Sequence, residues 1–300
     1  MCCLGHGKPH RVYNNPYSTA NSADTPPPFE VAHVNVGDQC ITLRNWPGSG
    51  PPLVMIHGIG STGSSWDATI PALANVVTPI ALDLRGHGDS GKPEHGYLYD
   101  DYIDDLDGVL AALGIERPLL MGHSLGGIIA LWWAARHPDR AGGIVVADSP
   151  LRSGHDFAPA FDGWLRQNAM PLEELAEWYA TEHPDWSPER ARSRAEVMTG
   201  SNRNVFVELR ADSLANQGVD RLAEIAHVIS PILLVRGDPE SGSMVVPADA
   251  EAFEHRLSNA RVARIPGAGH PLHRTHTNEF AAVVLPFLRE VIEGRNSSPS

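Results

Sequence analysis

The chain has 300 residues and a formal net charge of −13, with 42% hydrophobic and 20% charged residues. These values are ordinary for a globular protein and allow one large domain with a sizeable core. The negative charge makes the chain a poor candidate for binding nucleic acid or anionic membranes. No apolar run approaches the roughly 20 residues of a membrane-spanning helix, so no membrane insertion is expected. The sequence does not indicate an oligomeric state.

Both ends of the chain are polar. We predict disordered tails over residues 1–28 and 294–300, because these segments cannot bury enough apolar surface to become ordered. The three cysteines, Cys2, Cys3 and Cys40, do not form the pattern of a disulfide framework. The N-terminus also lacks the apolar segment of a secretory signal. We therefore expect a reducing compartment, the cytoplasm.

Between the tails, short apolar runs alternate with stretches of helical periodicity. Residues 29–36 and 40–45 predict a β-hairpin, because a Gly-Asp turn separates them. Further apolar runs predict buried strands at residues 53–56, 79–82, 119–121, 143–147, 232–235 and 260–265. Helical spacing is found at residues 99–113, 131–136 and 278–293. This alternation predicts an α/β fold with a mostly parallel, doubly wound sheet.

One long segment interrupts the alternation. Residues 151–229 contain helical pieces and prolines but no convincing strand, and they are too long for an ordinary crossover. We predict an inserted helical lid there, on a core formed by residues 29–150 and 230–293. The aromatic residues of the insertion are candidates for lining a pocket or for packing within the lid: Trp164, Trp178, Trp186 and Phe206.

A Gly-x-Ser-x-Gly pentapeptide is the most informative motif. It covers residues 122–126, directly after the predicted strand at 119–121 and before a helical stretch. A strand, a tight turn and a helix in this order are typical of a nucleophile elbow, in which a strained turn exposes the serine hydroxyl. The glycines at both ends fit because a Cβ there would collide with neighbouring backbone. Ser124 is therefore the candidate nucleophile.

A serine hydroxyl needs a base within hydrogen-bond reach and a third group that orients the base. The candidate base is His270, which lies in a glycine-flanked loop after the last predicted strand. The predicted acid is Asp238, which follows the strand at 232–235; Glu240 and Asp148 are alternatives. His273 and His276 have no acidic or cysteine partner at ligand spacing, so no metal site is predicted.

Acyl transfer also requires donors for the developing oxyanion, and backbone amides can supply them. One candidate is the N–H of Leu125, directly after the serine. The second should come from the loop after the strand at 53–56, where we expect Ile59 to donate, with Gly58 as the alternative.

Taken together, these motifs resemble the α/β-hydrolase family. The resemblance rests on the loop at residues 57–60 followed by Trp66, the turn at 83–90, the pentapeptide, and the loops at 237–238 and 269–270. It covers residues 31–292 and implies an eight-stranded, mostly parallel sheet with helices on both faces and a helical lid after the sixth strand. Many members place the acid where this chain has Glu240, so the resemblance leaves the acid open.

The resemblance also implies an activity. It is greatest to the esterase, enol-lactonase and cofactor-free haloperoxidase branch, with Ser124 as nucleophile, His270 as base, and Ile59 and Leu125 as oxyanion donors. The implied function is hydrolysis of a carboxylic ester, lactone or related small acyl substrate, without metal or cofactor. Hydrolysis of a carbon–carbon bond in a β-diketone-like substrate and a non-catalytic small-molecule sensor remain alternatives, because fold does not determine function.

Overall fold

A single sheet of eight strands lies at the centre of the computed structural model, which describes residues 28–151, 157–217 and 219–297. The strands are β1 (Glu30–Val36), β2 (Gln39–Asn45), β3 (Pro52–Ile56), β4 (Thr78–Leu82), β5 (Leu119–His123), β6 (Gly143–Ala147), β7 (Ile232–Arg236) and β8 (Ala260–Arg264). Their spatial order is β1-β2-β4-β3-β5-β6-β7-β8. Each predicted strand is present, and the predicted fold class is confirmed.

The sheet is antiparallel at one edge and parallel elsewhere. β1 and β2 form the predicted hairpin, and β2 pairs antiparallel with β4. All pairs from β4 to β8 are parallel. Leu53 and Met55 of β3 contribute to the core on one face, whereas Val54 and Ile56 contribute to the core on the other. Burial on both faces explains why the central strands have continuous apolar sequences.

Helices cover both faces of the sheet. They are α1 (Ile70–Leu73), α2 (Tyr99–Ala112), α3 (Leu125–Arg136), α4 (Ala158–Ala169), α5 (Leu172–Glu182), α6 (Pro188–Gly200), α7 (Arg203–Ala215), α8 (Arg221–Glu224), α9 (Pro247–Arg256), α10 (Leu272–Thr275) and α11 (Thr277–Ser297). Two 3₁₀ turns, Gly63–Thr69 and Pro239–Ser241, complete the set in the described residues. α2 and α3 contribute apolar residues to one core, and α11 contributes to the other.

Helices α4 to α8 lie between β6 and β7, where the sequence predicts the lid. The described residues of this segment contain no strand. Leu175, Met198 and Phe206 from these helices are buried in the same cluster as α2 and α3. In addition, Arg194 Nη1 of α6 donates to the Gly60 carbonyl at 2.7 Å. The helical segment therefore packs directly on the part of the core that carries the serine motif.

The chain ends and the cysteines differ in part from expectation. α11 continues to Ser297, past residue 293 where the sequence predicts its end. The remaining residues of the predicted tails, 1–27 and 298–300, lie outside the described part of the chain. Cys40 is disulfide-bonded, which the cysteine pattern of the sequence does not predict. No described helix has the length and hydropathy needed to cross a bilayer.

Candidate active site

Ser124 occupies the tight turn between β5 and α3. Its φ of 52° and ψ of −118° are unfavourable for a residue with a side chain, as expected for a nucleophile elbow. A Cβ on Gly126 would lie 2.1 Å from the Ile56 carbonyl oxygen, and one on Gly122 would lie 2.2 Å from the Gly126 carbonyl oxygen. Glycine is therefore required at both positions, for the steric reason that the sequence suggests.

His270 lies beside this turn. Its ring centroid is 4.5 Å from that of His123, the residue before Ser124. The His270 carbonyl accepts a hydrogen bond from His123 Nε2 at 3.0 Å. Nδ1 of His270 is 2.8 Å from Oδ2 of Asp148. Because a carboxylate only accepts, Nδ1 carries the proton and Nε2 is left as the basic nitrogen.

Asp148 follows β6 and is completely buried. Its φ of 45° is in the left-handed region, so the backbone is strained there as it is at Ser124. The carboxylate accepts from the Ser243 hydroxyl, from the Met244 amide at 2.9 Å and from the Val245 amide at 3.3 Å, in addition to His270. These donors compensate for the loss of water around a buried charge. Asp148 is thus positioned to orient the imidazole.

The structure does not bring Asp238, the acid predicted from the sequence, to His270. Its carboxylate instead accepts from Nε of Arg264, from Nη2 of Arg264 at 2.9 Å and from the Gly267 amide at 2.8 Å. The hydrogen bond from Arg264, followed by that from Gly267, lowers the pKa of Asp238 to about 2. Glu240 is exposed on the following 3₁₀ turn. The geometry therefore replaces Asp238 by Asp148, the alternative acid after the neighbouring strand.

Ile59 and Leu125, the expected oxyanion donors, line one cavity together with Ser124. Leu125 is the first residue of α3, so its N–H has no acceptor within the helix. The Ile59 N–H makes no hydrogen bond to any group in the described residues. Both amides are consequently available to a substrate.

Two buried histidines hold the loop that contains Ile59. His57 Nδ1 donates to the Gly58 carbonyl at 2.7 Å, and its Nε2 accepts from the Leu84 amide at 3.0 Å. His87 Nε2 accepts from the Gly60 amide at 3.0 Å. Burial lowers the pKa of each imidazole to about 3, so both are neutral at neutral pH. The sequence gives no role for His57 and His87, which it shows only as members of the motifs that resemble the family.

Further hydrogen bonds fix the same loop from two directions. Asp83 accepts from the Gly63 amide at 2.7 Å and from the Asp89 amide at 3.0 Å. Arg274 Nη2 of α10 donates to the Ser61 hydroxyl at 2.9 Å. The loop is therefore tied both to the turn after β4 and to the segment that carries His270.

The cavity is open to solvent, and the empty space inside it and at its mouth is about 650 Å³. Its walls are mainly apolar and come from the core and from helices α4, α7 and α8, as is common for small-molecule sites. Of the aromatic residues predicted to line a pocket, Trp164 does so. Phe206 is buried in the core, Trp178 is exposed, and Trp186 stacks on His183.

His273 has a packing role rather than the ligand geometry of a metal site. Its buried ring lies 4.4 Å from that of Trp66, and its Nε2 accepts from Arg274 Nε at 3.1 Å. Within the described residues, no group of three or more histidine, cysteine, aspartate or glutamate side chains could hold a metal ion.

Comparisons with known proteins agree with this fold. A family model described as the alpha/beta hydrolase fold matches residues 51–277. The chain is 30% identical over 251 residues to a 2-(acetamidomethylene)succinate hydrolase of Mesorhizobium japonicum, covering 81% of this chain and 89% of the relative. It is 29% identical over 259 residues to a 2-hydroxymuconate semialdehyde hydrolase of a Pseudomonas species, covering 81% and 88% respectively.

A solved structure has the same architecture. The crystal structure of E-2-(acetamidomethylene)succinate hydrolase superimposes with a TM-score of 0.72 at 27% identity, covering 87% of this chain and 99% of that one.

Proposed function

The chain belongs to the α/β-hydrolase family, and we propose that it is a serine hydrolase acting on a carboxylic ester, a lactone or a related small acyl substrate. The observation that carries the proposal is the hydrogen bond between His270 and the buried Asp148, beside a serine in a strained turn. A nucleophile, a base and an orienting acid are the groups that acyl transfer requires.

In the proposed mechanism, the Ser124 hydroxyl attacks the substrate carbonyl while Nε2 of His270 takes its proton. Asp148 stabilises the imidazolium that forms and keeps the proton on Nδ1. The amides of Ile59 and Leu125 donate to the oxyanion. His270 then protonates the leaving group and activates a water molecule, which hydrolyses the acyl-enzyme. Apart from the substrate and water, these steps use only groups of this chain and need no metal or cofactor.

Active-site labelling tests the nucleophile directly. We expect a fluorophosphonate probe to form one adduct, located at Ser124 by mass spectrometry, and Ser124→Ala to abolish both labelling and hydrolysis of p-nitrophenyl acetate. The matched control is Ser187→Ala, which removes an exposed serine that caps α6 in the lid. Labelling of Ser124→Ala at the wild-type level would refute the proposed nucleophile.

Carbon–carbon bond hydrolysis is the second candidate, and the similarity to 2-hydroxymuconate semialdehyde hydrolase favours it. The same three residues can serve this reaction, with Ser124 attacking a carbonyl of a β-diketone-like substrate, His270 as base and Asp148 orienting the imidazole. A panel that pairs each ester with a β-diketone carrying the same acyl group decides between the two, by the ratio of their kcat/KM values. Tight ligand binding by the wild type without turnover of either class would instead favour a sensor.

A cytoplasmic location remains a proposal based on the cysteine pattern. The disulfide at Cys40 counts against a reducing compartment. Alkylation of intact cells before lysis, followed by mass spectrometry of the peptide that contains Cys40, measures its oxidation state. An alkylated Cys40 supports the cytoplasm, and a protected one contradicts it.

A further inference from the structure

The cavity contains a second polar region besides Ser124. Arg221 of α8 is the single charged residue among the described residues that line it. Ser213 of α7 and Tyr99 of α2 line the same cavity, and the remaining wall residues apart from Ser124 are apolar. A few polar groups in an otherwise apolar pocket commonly determine which ligand binds and in which orientation.

Arg221 is held in one orientation without a ligand. Nη2 lies 3.1 Å from Oδ2 of Asp212, and only 16% of the Arg221 side chain is exposed. The guanidinium carbon lies 4.9 Å from the ring centroid of Tyr99 and 5.4 Å from that of Trp132. These two rings stack on each other at 5.8 Å. An ordered guanidinium loses little conformational entropy on binding, which favours recognition of an anion.

The guanidinium retains hydrogen-bonding capacity. Nη2 donates to Asp212, whereas Nε and Nη1 make no hydrogen bond within the described residues. Burial raises the pKa of Tyr99 to about 12, so its hydroxyl stays a neutral donor. Together with the Ser213 hydroxyl, these groups match the acceptor oxygens of a carboxylate, whose planar shape suits the fork of an arginine.

We propose that the substrate is an acyl compound with a free carboxylate, and that Arg221 binds this carboxylate with help from Ser213 and Tyr99. The inference rests on the proposed function at Ser124, because it names the substrate class of the same cavity. An alternative role for Arg221 would be to fasten α8 to the rings of α2 and α3.

The experiment compares two esters of the same acyl length, mono-p-nitrophenyl glutarate and the neutral p-nitrophenyl valerate. We expect the wild type to prefer the anionic ester in kcat/KM. Arg221→Gln should lower kcat/KM for the anionic ester by about 10- to 100-fold, as expected for a lost hydrogen bond to a charged group. The neutral ester should change by less than about threefold, since it makes no such bond. Arg221→Lys should give an intermediate preference, because it keeps the charge but loses the fork.

The matched control is Arg210→Gln. Arg210 of α7 also pairs with an aspartate, Asp162, but it does not line the cavity. This variant should keep the wild-type preference for the anionic ester. Equal losses on both esters in Arg221→Gln would show a structural role, and a wild type without preference for the anion would overturn the proposal.

A binding measurement separates this proposal from the proposed function. Isothermal titration of Ser124→Ala with glutarate should give saturable binding, which the additional change Arg221→Gln removes. If the wild type hydrolyses neither ester, the proposed function fails, while this binding still supports the carboxylate site. Absence of glutarate binding to Ser124→Ala, at a melting temperature equal to that of the wild type, overturns the carboxylate site.

Discussion

Asp148 and Asp238 follow neighbouring strands, yet their carboxylates have different partners. Asp148 is buried and accepts from His270, whereas Asp238 accepts from Arg264 and from the Gly267 amide. The Asp238 amide also donates to the Ala268 carbonyl at 2.7 Å. Asp238 therefore fastens the loop that carries His270, and Asp148 contacts the imidazole itself. Both residues act on the histidine, one through the backbone and the other directly.

Substituting the two aspartates separately tests this division. Asp148→Asn should lower kcat on p-nitrophenyl acetate by about 10³- to 10⁴-fold, because an amide can stabilise the wrong imidazole tautomer and cannot stabilise the imidazolium. Asp238→Asn should lower kcat by less than about 10-fold, since it weakens only the support of the loop. Steady-state kinetics with melting temperatures for both variants provide the measurement. A larger kcat loss in Asp238→Asn would restore the acid predicted from the sequence.

The sequence could identify the serine because the requirement there is local. Gly122 and Gly126 must lack a Cβ to fit against backbone atoms, and this requirement is visible in a pentapeptide. The choice of acid depends on how distant loops meet. Ser243, Met244 and Val245 turn towards Asp148 from the loop after β7, and no local pattern indicates which carboxylate they surround.

At the scale of elements, the elbow joins β5 to α3 through close backbone contacts. Gly126 lies in the first turn of α3, against the Ile56 carbonyl of β3. Gly163 also lies in a helix, α4, but the nearest atom to a Cβ there would be Nη2 of Arg166, at 3.8 Å. Alanine substitutions at these two glycines therefore distinguish a steric requirement for glycine from the effect of helix propensity.

We expect Gly126→Ala to destabilise the protein by about 3 kcal/mol, because backbone atoms must move to admit the methyl group. Gly163→Ala should instead stabilise it by about 0.5–1 kcal/mol, through the higher helix propensity of alanine. Urea unfolding followed by circular dichroism measures both changes. A Gly126→Ala variant as stable as the wild type would mean that the elbow is not as tightly packed as described.

Arg194 connects helix α6 to the loop of the proposed oxyanion site. Its Nη1 donates to the Gly60 carbonyl at 2.7 Å, and Gly60 follows Ile59. Arg192, two residues earlier on α6, instead pairs with Glu173 of α5. Arg194 is thus directed to the core, whereas Arg192 joins α6 to α5.

Replacing Arg194 should affect catalysis more than stability. Arg194→Met should lower kcat by about 10-fold, because the Ile59 amide is less firmly placed. This loss is smaller than the loss expected when an oxyanion donor is removed altogether. The control Arg192→Met should leave kcat within about twofold of the wild type, since an exposed ion pair contributes little. Kinetics on a neutral ester test both, and equal kcat values for the two variants would contradict a link between the lid and the oxyanion site.

At the scale of the whole molecule, the parallel sheet is predictable from the sequence. Its strands are buried on both faces, so they have apolar residues at successive positions, and these runs are visible in the sequence. The positions of the lid side chains are less predictable. Trp164, Trp178 and Trp186 all belong to the helical insertion, but one lines the cavity, one is exposed and one stacks on His183. Which aromatic residue faces the cavity depends on how each helix packs, and the composition of the segment does not specify this.

Burial of neutral histidines makes the folded state sensitive to acid. The pKa values of His57 and His87 are lowered from 6.5 to about 3 by burial. Between these values the unfolded chain binds more protons than the folded one, so stability falls as the pH drops below 6.5. Burial raises the pKa of Asp67 from 3.8 to about 7. The effect of Asp67 on stability is opposite to that of the histidines, because its contribution to the free energy of unfolding decreases as the pH rises. Burial also lowers the pKa values of His123 and His273 and raises that of Asp105. The four imidazoles therefore outweigh the two carboxyls.

We therefore expect the free energy of unfolding to be highest near neutral pH and to decrease steadily from pH 6.5 towards pH 3. Each buried imidazole contributes a slope of up to about 1.4 kcal/mol per pH unit. His87→Gln should reduce the slope by about this amount, although the variant is less stable at pH 8 because the side chain fits its hydrogen bonds less well. Urea titrations at pH 8, 6, 5 and 4 give the slopes, and equal slopes for His87→Gln and the wild type would show that His87 is already protonated in the folded state.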